Sequence, residues 1–93
     1  MNKGELIDAI ASTTNVTKKE ADAILAALVD TIMAEVSQGN KVSLVGFGSF
    51  ERRERQAREG RNPKTGEKMQ ISATRVPAFS PGKLFKEKVA PDE

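Results

Sequence analysis

The segment RRERQAREGRNPKTGEKMQISATR, residues 52–75, decides how this chain folds. It carries eight basic and three acidic residues, a formal charge of +5, whereas the remainder of the 93 residues sums to −3. Its middle, Gly60–Gly66, favours a tight reversal, because glycine accepts positive φ and proline fixes φ near about −65°. Strands are expected on either side, at Phe50–Gln56 and Met69–Phe79. The sequence therefore predicts a long β-hairpin with its tip near Pro63.

The basic character of this segment indicates a polyanionic partner. All six arginines of the chain lie within it, and the planar guanidinium suits phosphate oxygens and a narrow minor groove. A charge run is often only a solvated face, and Pro63 by itself is an ordinary turn residue. At the tip of a basic ribbon, however, an apolar proline is also suited to wedge into a base step and kink a duplex. Composition alone leaves both interpretations open.

Two helices are predicted before the first strand. The first spans Lys3–Ala11, with Asn2 as its N-cap. Thr17 and Glu20 form the T-x-x-E capping box of the second, whose apolar residues recur at steps of three and four until Gly39. A helix-turn-helix motif is disfavoured, because outside its apolar stripe the second helix offers mainly Ala, Asp and Thr for base contacts.

The chain then turns to strand. Lys41–Val45 alternates apolar and polar residues, and Gly46–Gly48 turns the chain into the next strand. This block lacks the G-x-G-x-x-G pattern and no helix follows it, while Gly60–Gly66 lacks the Gly-Lys-Ser/Thr of a P-loop, so nucleotide-binding loops are excluded. Near the C-terminus, Ser80 and Pro81 predict the N-cap and first turn of a short last helix.

The composition argues against catalysis. The chain has no His, Cys or Tyr, so it lacks the common nucleophile–base pairs, a thiolate zinc site and a disulfide framework. We expect neither an enzyme nor a cofactor or metal. No apolar run reaches the roughly 18 residues of a membrane span, and the N-terminus has no signal-peptide pattern. A cytoplasmic protein with no membrane partner is expected.

The small size predicts a shared core. Only 69 residues lie outside the basic segment, and one core of that size provides roughly 3 to 5 kcal/mol of net stability. With no disulfide or metal to help, a symmetric homodimer is the simplest solution, and it would present two basic ribbons to one duplex. The residues predicted for the dimer core are Leu28, Val29, Ile32, Phe47, Phe50 and Phe79.

Three lysines occupy an unusual position. Lys3, Lys18 and Lys83 each lie in the first turn of a predicted helix, where the helix dipole disfavours a cation by up to about 1 kcal/mol. A bound phosphate would reverse that cost, because the free N–H groups and the lysine would act on one anion. Tolerated surface lysines are the alternative, and Lys3 and Lys83 are the stronger candidates for DNA contact.

The order of several motifs resembles the bacterial histone-like HU proteins of the HU/IHF superfamily. The motifs are MNK at 1–3, VGFGSF at 45–50, GRNPKTG at 60–66 and PAFSPGK at 77–83. The resemblance covers essentially the whole chain. It implies an α+β fold, an intertwined homodimer with a helical base, a β-sheet saddle and two long β-hairpin arms.

The resemblance also implies the function. HU and IHF are known examples of architectural binding in the DNA minor groove. By resemblance, Pro63 is the intercalating wedge, and Arg61 and Asn62 lie along the groove. The expected protein binds double-stranded DNA with little sequence preference, favours bent, nicked or gapped forms, bends and compacts DNA, and is associated with the cytoplasmic nucleoid.

On this basis residues 1–93 are expected to form a single HU-like domain. Residues 1–51 would form the helical base and first strands, 52–75 the DNA-embracing arm, and 76–93 the last strand and C-terminal helix. The predicted DNA-binding residues are Lys3, Arg52, Arg53, Arg55, Arg58, Arg61, Asn62, Pro63, Lys64, Arg75, Lys83 and Lys86.

Alternatives to this function stay open. An IHF-like protein would prefer particular sequences, and the Arg61-Asn62-Pro63 tip occurs in both groups. Structured RNA is a nearer rival than protein, although its wide, shallow minor groove suits a narrow-groove wedge poorly. A protein-interaction module would use the hairpin to extend a partner's sheet, which the like charges along it discourage. The sequence does not distinguish a homodimer from a heterodimer with a paralogue.

Overall fold

The computed structural model describes residues 1–90, and these form three helices and five strands. The elements are α1 (Lys3–Thr14), α2 (Lys18–Ser37), β1 (Val42–Leu44), β2 (Gly48–Arg55), β3 (Arg58–Arg61), β4 (Lys68–Ile71), β5 (Thr74–Pro81) and α3 (Lys83–Val89). The predicted α+β fold of the chain is confirmed. By its internal contacts the chain divides into two compact units, Met1–Ala34 and a second that begins at Glu35. The single HU-like domain over residues 1–93 stays a prediction.

Both predicted N-caps of the first unit are confirmed. The Asn2 side chain accepts a hydrogen bond from the backbone N–H of Glu5 at 2.9 Å, which begins α1. The Thr17 hydroxyl accepts from the N–H of Glu20 at 3.1 Å, which begins α2. Each side chain satisfies one of the donors that a helix N-terminus leaves without an intrahelical partner.

Helix α1 extends beyond the predicted Lys3–Ala11. The Thr14 hydroxyl donates to the carbonyl of Ile10 at 2.7 Å, so the polar residues after Ala11 join the last turn instead of forming a connection. The helix stops at Asn15, which has the left-handed φ of 60°. Asparagine is one of the few residues that adopt this conformation readily.

The second unit contains a three-stranded antiparallel sheet in the order β1-β2-β5. Strand β1 is shorter than the predicted Lys41–Val45, and β2 begins at Gly48, two residues before the predicted Phe50. Gly48 has a φ of 151°, and a Cβ atom there would lie 2.5 Å from the Ser80 carbonyl oxygen. Glycine is therefore required where β2 and β5 meet.

The four phenylalanines form one aromatic cluster in the second unit. Phe50 and Phe79 are directly opposite each other on β2 and β5, with ring centroids 4.9 Å apart. Phe47 stacks on Phe85 of α3 at 5.5 Å with an interplanar angle of 9°. These separations lie in the range that favours aromatic pairs. The cluster connects both strands and α3.

The predicted start of the last helix is wrong. Pro81 is the final residue of β5, paired with Gly48, and α3 begins at Lys83 with Gly82 as an N-cap that has no side-chain hydrogen bond. The Ser80 hydroxyl donates to Glu51 Oε1 at 3.4 Å instead of capping a helix. The strand pairing overrides the capping signal, and a proline is tolerated there because it closes the strand.

The predicted hairpin is present but interrupted. Strands β2 and β5 pair as far as Arg55 opposite Thr74, and β3 and β4 resume with Arg58 opposite Ile71. Two residues on each side, 56–57 and 72–73, lie outside the strands. The interruption is equal on both strands, so the register continues unchanged. Below, "arm" means residues 52–75, "distal ribbon" means residues 58–71, and "arm root" means the part of the arm in β2 and β5.

Candidate nucleic-acid interface

The tip of the arm is a compact turn built around Asn62. Its N–H donates to the Glu67 carbonyl at 2.8 Å, and its own carbonyl accepts from the Gly66 N–H at 2.7 Å. Its side-chain oxygen accepts from the N–H of Lys64 at 2.9 Å, the local bond that asparagine makes in turns. Asn62 is thus occupied in holding the turn. Pro63 lies next to it within the turn and is exposed.

The distal ribbon has two different faces. Alternation along paired strands places Glu59, Arg61, Lys68 and Gln70 on one face, and Arg58, Gly60, Met69 and Ile71 on the other. A Cβ on Gly60 would lie 2.9 Å from Ile71 Cδ1, so the isoleucine side chain crosses over the glycine. The ribbon therefore has a small apolar face, which the sequence analysis did not predict.

The charges of the distal ribbon are uncompensated. Arg61 and Lys68 are directly opposite each other in the register, and like charges at such positions destabilise a sheet by a few tenths to about 1 kcal/mol. Within residues 1–90, the five cations from Arg55 to Lys68 form no ion pair with a carboxylate. They are Arg55, Arg58, Arg61, Lys64 and Lys68. This end of the arm holds positive charge that no described side chain neutralises.

The arm root differs, because three of its four arginines, Arg52, Arg53 and Arg75, form ion pairs. Arg53 Nη2 lies 3.2 Å from both Glu51 Oε1 and the Ser80 hydroxyl. Arg75 Nε lies 3.4 Å from Glu54 Oε1. Both arginine side chains are more than half exposed, so these are surface pairs worth at most about 1 kcal/mol. An incoming phosphate can replace them at little cost.

Arg52 has a different environment from the other arm arginines. It lies on the face of β2 that carries Phe50, whereas Arg53 and Arg55 point to the opposite face. Its Nη1 donates to the carbonyl of Ser37 at 3.1 Å, and its Nη2 lies 3.5 Å from Glu54 Oε1. Its hydrogen-bond acceptor, the Ser37 carbonyl, lies at the C-terminal end of α2 and outside the arm.

The lysines at the helix starts are where the sequence predicts them, at the first residue of each helix. Each is near a carboxylate: Lys3 is 3.7 Å from Asp22, Lys18 is 3.3 Å from Asp8, and Lys83 is 3.9 Å from Glu87. All three lysine side chains are exposed.

These carboxylates offset the unfavourable interaction between each lysine and the helix dipole. The positions of the three lysines can therefore be explained without a contact to DNA. Lys86, in the last turn of α3, has no carboxylate partner among residues 1–90.

Sequence reasoning missed one candidate, Lys68. It is in the basic segment, but its position opposite Arg61 follows only from the register of the hairpin. The turn from Asn62 to Glu67 fixes that register. Arg61 directly precedes this turn and Lys68 directly follows it, so a prediction of the turn's two ends would have paired them.

Other kinds of site find no support in the described part of the chain. Residues 1–90 contain no group of three or more acidic, His or Cys side chains arranged to hold a metal ion. None of the helices described combines the length and apolar character needed to cross a bilayer. Among the described residues, the arm is therefore the candidate binding site.

Comparison with known proteins gives a consistent result. Residues 1–90 match the family described as Bacterial DNA-binding protein. The chain is 72% identical over 91 residues to the DNA-binding protein HU of Nostoc sp., covering 98% of this chain and 97% of the relative. It is 60% identical over 99 residues to the DNA-binding protein HU of Synechocystis sp., covering 100% and 99%.

Solved structures agree with the sequence relatives. A cocrystal structure of Anabaena HU with DNA matches with a TM-score of 0.91 and 72% identity, over 98% of this chain and 99% of that one. HU from Thermotoga maritima matches with a TM-score of 0.69 and 38% identity, over 96% and 98%. The resemblance to HU noted from the motifs is thereby confirmed, and the chain belongs to the bacterial DNA-binding protein family.

Proposed function

We propose that this chain is an architectural DNA-binding protein, which binds double-stranded DNA through the minor groove with little sequence preference and bends and compacts it. The observation that carries the proposal is the distal ribbon, where four cations have no carboxylate partner among residues 1–90 and an exposed proline lies in the tip turn. Family membership and the HU–DNA cocrystal relative support the same function. A nucleoid-associated location in the cytoplasm follows as part of the proposal.

The charge arrangement favours a polyanion over a protein partner. The opposed pair Arg61 and Lys68 is repulsive in the free protein, and DNA phosphates that contact the two side chains would offset this repulsion with attraction. Arginine and lysine that neutralise phosphates release counterions, so affinity should fall steeply with salt. Base-edge readout is minor in this scheme, because the minor groove presents a degenerate pattern.

A homodimer is part of the proposal, because a single chain leaves too much apolar surface in water. Among residues 1–90 only Ala11, Ala21 and Val36 are buried hydrophobic residues. Leu28 and Val29, predicted for the dimer core, are 48% and 44% exposed in the isolated chain. Exposed apolar surface on this scale marks an interaction site.

The other predicted core residues agree with a shared core. Phe47 and Phe79 are also exposed, and Ile32 and Phe50 are half-buried. In this proposal a second copy, related by a two-fold axis, covers the exposed apolar residues of each unit and supplies the second arm.

Bending follows from two wedges. Pro63 is an exposed residue of the Asn62 turn, and in this proposal its ring enters a base step and unstacks it. One proline per arm gives two kinks on one duplex. A nick or gap lowers the deformation energy, because the stacking at that step is already lost, so such DNA should bind more tightly.

The test is a salt titration of the full chain against three kinds of short duplex. One is intact, one carries a nick, and a third set has scrambled sequences; donor and acceptor dyes on the ends report bending. Similar affinity across sequences, tighter binding to the nicked duplex and increased energy transfer on binding are expected. A strong preference for one intact sequence would indicate IHF-like behaviour.

Two further outcomes would overturn the proposal. Equal or tighter binding to an A-form RNA duplex of the same length would favour RNA as the partner. Binding that does not change with salt would remove the electrostatic basis and favour a protein-interaction module.

A further inference from the structure

The last turn of α2 accepts hydrogen bonds both from its own backbone and from a side chain outside the helix. After Ser37 the chain reverses at Gly39, with φ of 91°. The N–H of Gly39 donates to the Val36 carbonyl at 2.9 Å, and the N–H of Asn40 donates to the Glu35 carbonyl at 2.9 Å. This is the Schellman pattern, which satisfies two of the carbonyls at a helix end. The carbonyl of Ser37 is not served by it.

Arg52 reaches this carbonyl from the arm root. Its Nη1 donates to the Ser37 oxygen at 3.1 Å, joining positions 15 residues apart in sequence. A Cβ added to Gly39 would lie 3.0 Å from Arg52 Nη2, so the guanidinium covers the glycine closely. A cation at this end of a helix is favoured by the helix dipole. Arg52 therefore completes the cap of α2.

The guanidinium of Arg52 also belongs to a network of charged side chains on one face of the arm root. Arg52 Nη2 lies 3.5 Å from Glu54 Oε1, and that oxygen lies 3.4 Å from Arg75 Nε on β5. Glu54 and Arg75 are directly opposite each other in the β2–β5 register. The network thus runs from the end of α2 through β2 to β5, across both strands from which the arm emerges.

The side chain of Arg52 is more buried than that of Arg53. The side chain of Arg52 is 25% exposed, whereas that of Arg53 is 57% exposed. The two alternate onto opposite faces of β2. To reach a phosphate, Arg52 would have to give up its helix-cap bond and an ion pair from a largely covered position, while Arg53 would give up an ion pair and a hydrogen bond from a more exposed one.

From these contacts we infer that Arg52 is a positioning residue, which fixes the direction of the arm by tying its root to the C-terminus of α2 and does not bind DNA itself. The inference rests on the proposed function, because the arm direction matters only if the arms hold a duplex. With both arms fixed at their roots, the separation of the two Pro63 wedges is defined and so is the bend. Without Arg52 the arm makes the same DNA contacts, but its direction relative to the rest of the second unit is less defined.

The experiment compares Arg52→Met with Arg53→Met in the full chain. Both changes keep much of the apolar stem and remove one cation per protomer. The measurements are the salt dependence of affinity and the distribution of energy transfer across an end-labelled duplex at saturating protein. They are made well below the melting temperature of each variant. Arg52→Lys keeps the cation at the helix end and serves as the conservative variant.

For Arg52→Met we expect an unchanged salt slope with a lower and broader distribution of energy transfer, partly restored in Arg52→Lys. For Arg53→Met we expect the slope to decrease by about 0.9 per arm, or about 1.8 for two arms, with the shape of the transfer distribution kept. If Arg52→Met does not fold, Arg52→Gln takes its place, because it also removes the guanidinium that reaches the Ser37 carbonyl. It should likewise leave the salt slope unchanged and broaden the distribution.

Two results would overturn the inference. A slope that decreases as much for Arg52→Met as for Arg53→Met would make Arg52 a phosphate contact. An unchanged slope with unchanged energy transfer would reduce Arg52 to a local helix cap. Failure of the parent chain to bind DNA in the same titration would instead refute the proposed function, so the two failures are distinguishable.

Discussion

Neutralising the opposed cations of the distal ribbon gives the sharpest test of how this protein holds DNA. Arg61 and Lys68 face each other across β3 and β4 and have no carboxylate partner among residues 1–90. Changing both to glutamine keeps polar side chains of moderate length in the strands and removes two cations from each arm. A homodimer loses four.

The magnitude follows from counterion release. If each cation neutralises one phosphate, the slope of log affinity against log salt becomes shallower by about 3.6, at about 0.9 per phosphate. Between 50 and 200 mM salt, a range of about 0.6 log units, the parent should then lose about 150-fold more affinity than the double variant. Removing a like-charge pair should leave the fold intact or slightly more stable.

The assay is fluorescence anisotropy on one duplex at five or more salt concentrations, with circular dichroism to verify the fold. A matched control is Lys19→Gln with Lys41→Gln, which removes the same charge from two exposed lysines outside the arm. The control should keep most of the parental slope. A parental slope in the Arg61/Lys68 variant, or an equally large change in the control, would refute the placement of phosphates along the distal ribbon.

Three further outcomes are expected. Pro63→Ala should reduce energy transfer between duplex ends much more than affinity, since it removes the wedge and keeps the charges; equal bend angles for variant and parent would exclude the wedge. Thr17→Ala should lower the free energy of unfolding by about 1 kcal/mol per chain, because it removes the hydrogen bond to the Glu20 N–H. The measurement is chemical denaturation at a fixed protein concentration, since the stability of a dimer depends on protein concentration. Gly48→Ala should destabilise by more than about 2 kcal/mol or prevent folding, because its Cβ would meet the Ser80 carbonyl at 2.5 Å and its φ is 151°; a melting temperature equal to that of the parent would contradict the described strand contact.

Local signals in the sequence were sufficient for much of this fold. The side chains of Asn2 and Thr17 each accept a hydrogen bond from the backbone N–H three residues later, at Glu5 and Glu20. This spacing can be read directly from the sequence. The tip at Pro63 was predictable because asparagine, proline and glycine each restrict the backbone locally. The apolar spacing of α2 likewise determines its length closely.

Features that depend on pairing between distant residues were not predictable in this way. Ser80 and Pro81 have the local signature of a helix start, yet strand pairing with Ser49 and Gly48 outweighs it. The interruption of the arm has no composition signal, and Gln56 and Ala57 are acceptable in a strand. Arg52 was grouped with its neighbours because all lie in one charge run. Its role depends on the carbonyl of Ser37, which only the folded chain brings within reach.

The equal interruption of the two strands restricts how the length of this arm can evolve. Pairing stops at Arg55 opposite Thr74 and resumes at Arg58 opposite Ile71, so the same number of residues is skipped on each side. One residue inserted on a single strand would exchange the two faces of that strand, moving Met69 and Ile71 to the side of Arg61. Insertions or deletions in the two halves of the gene segment that encodes the arm must therefore be matched, and a longer or shorter arm arises by coordinated changes on both strands.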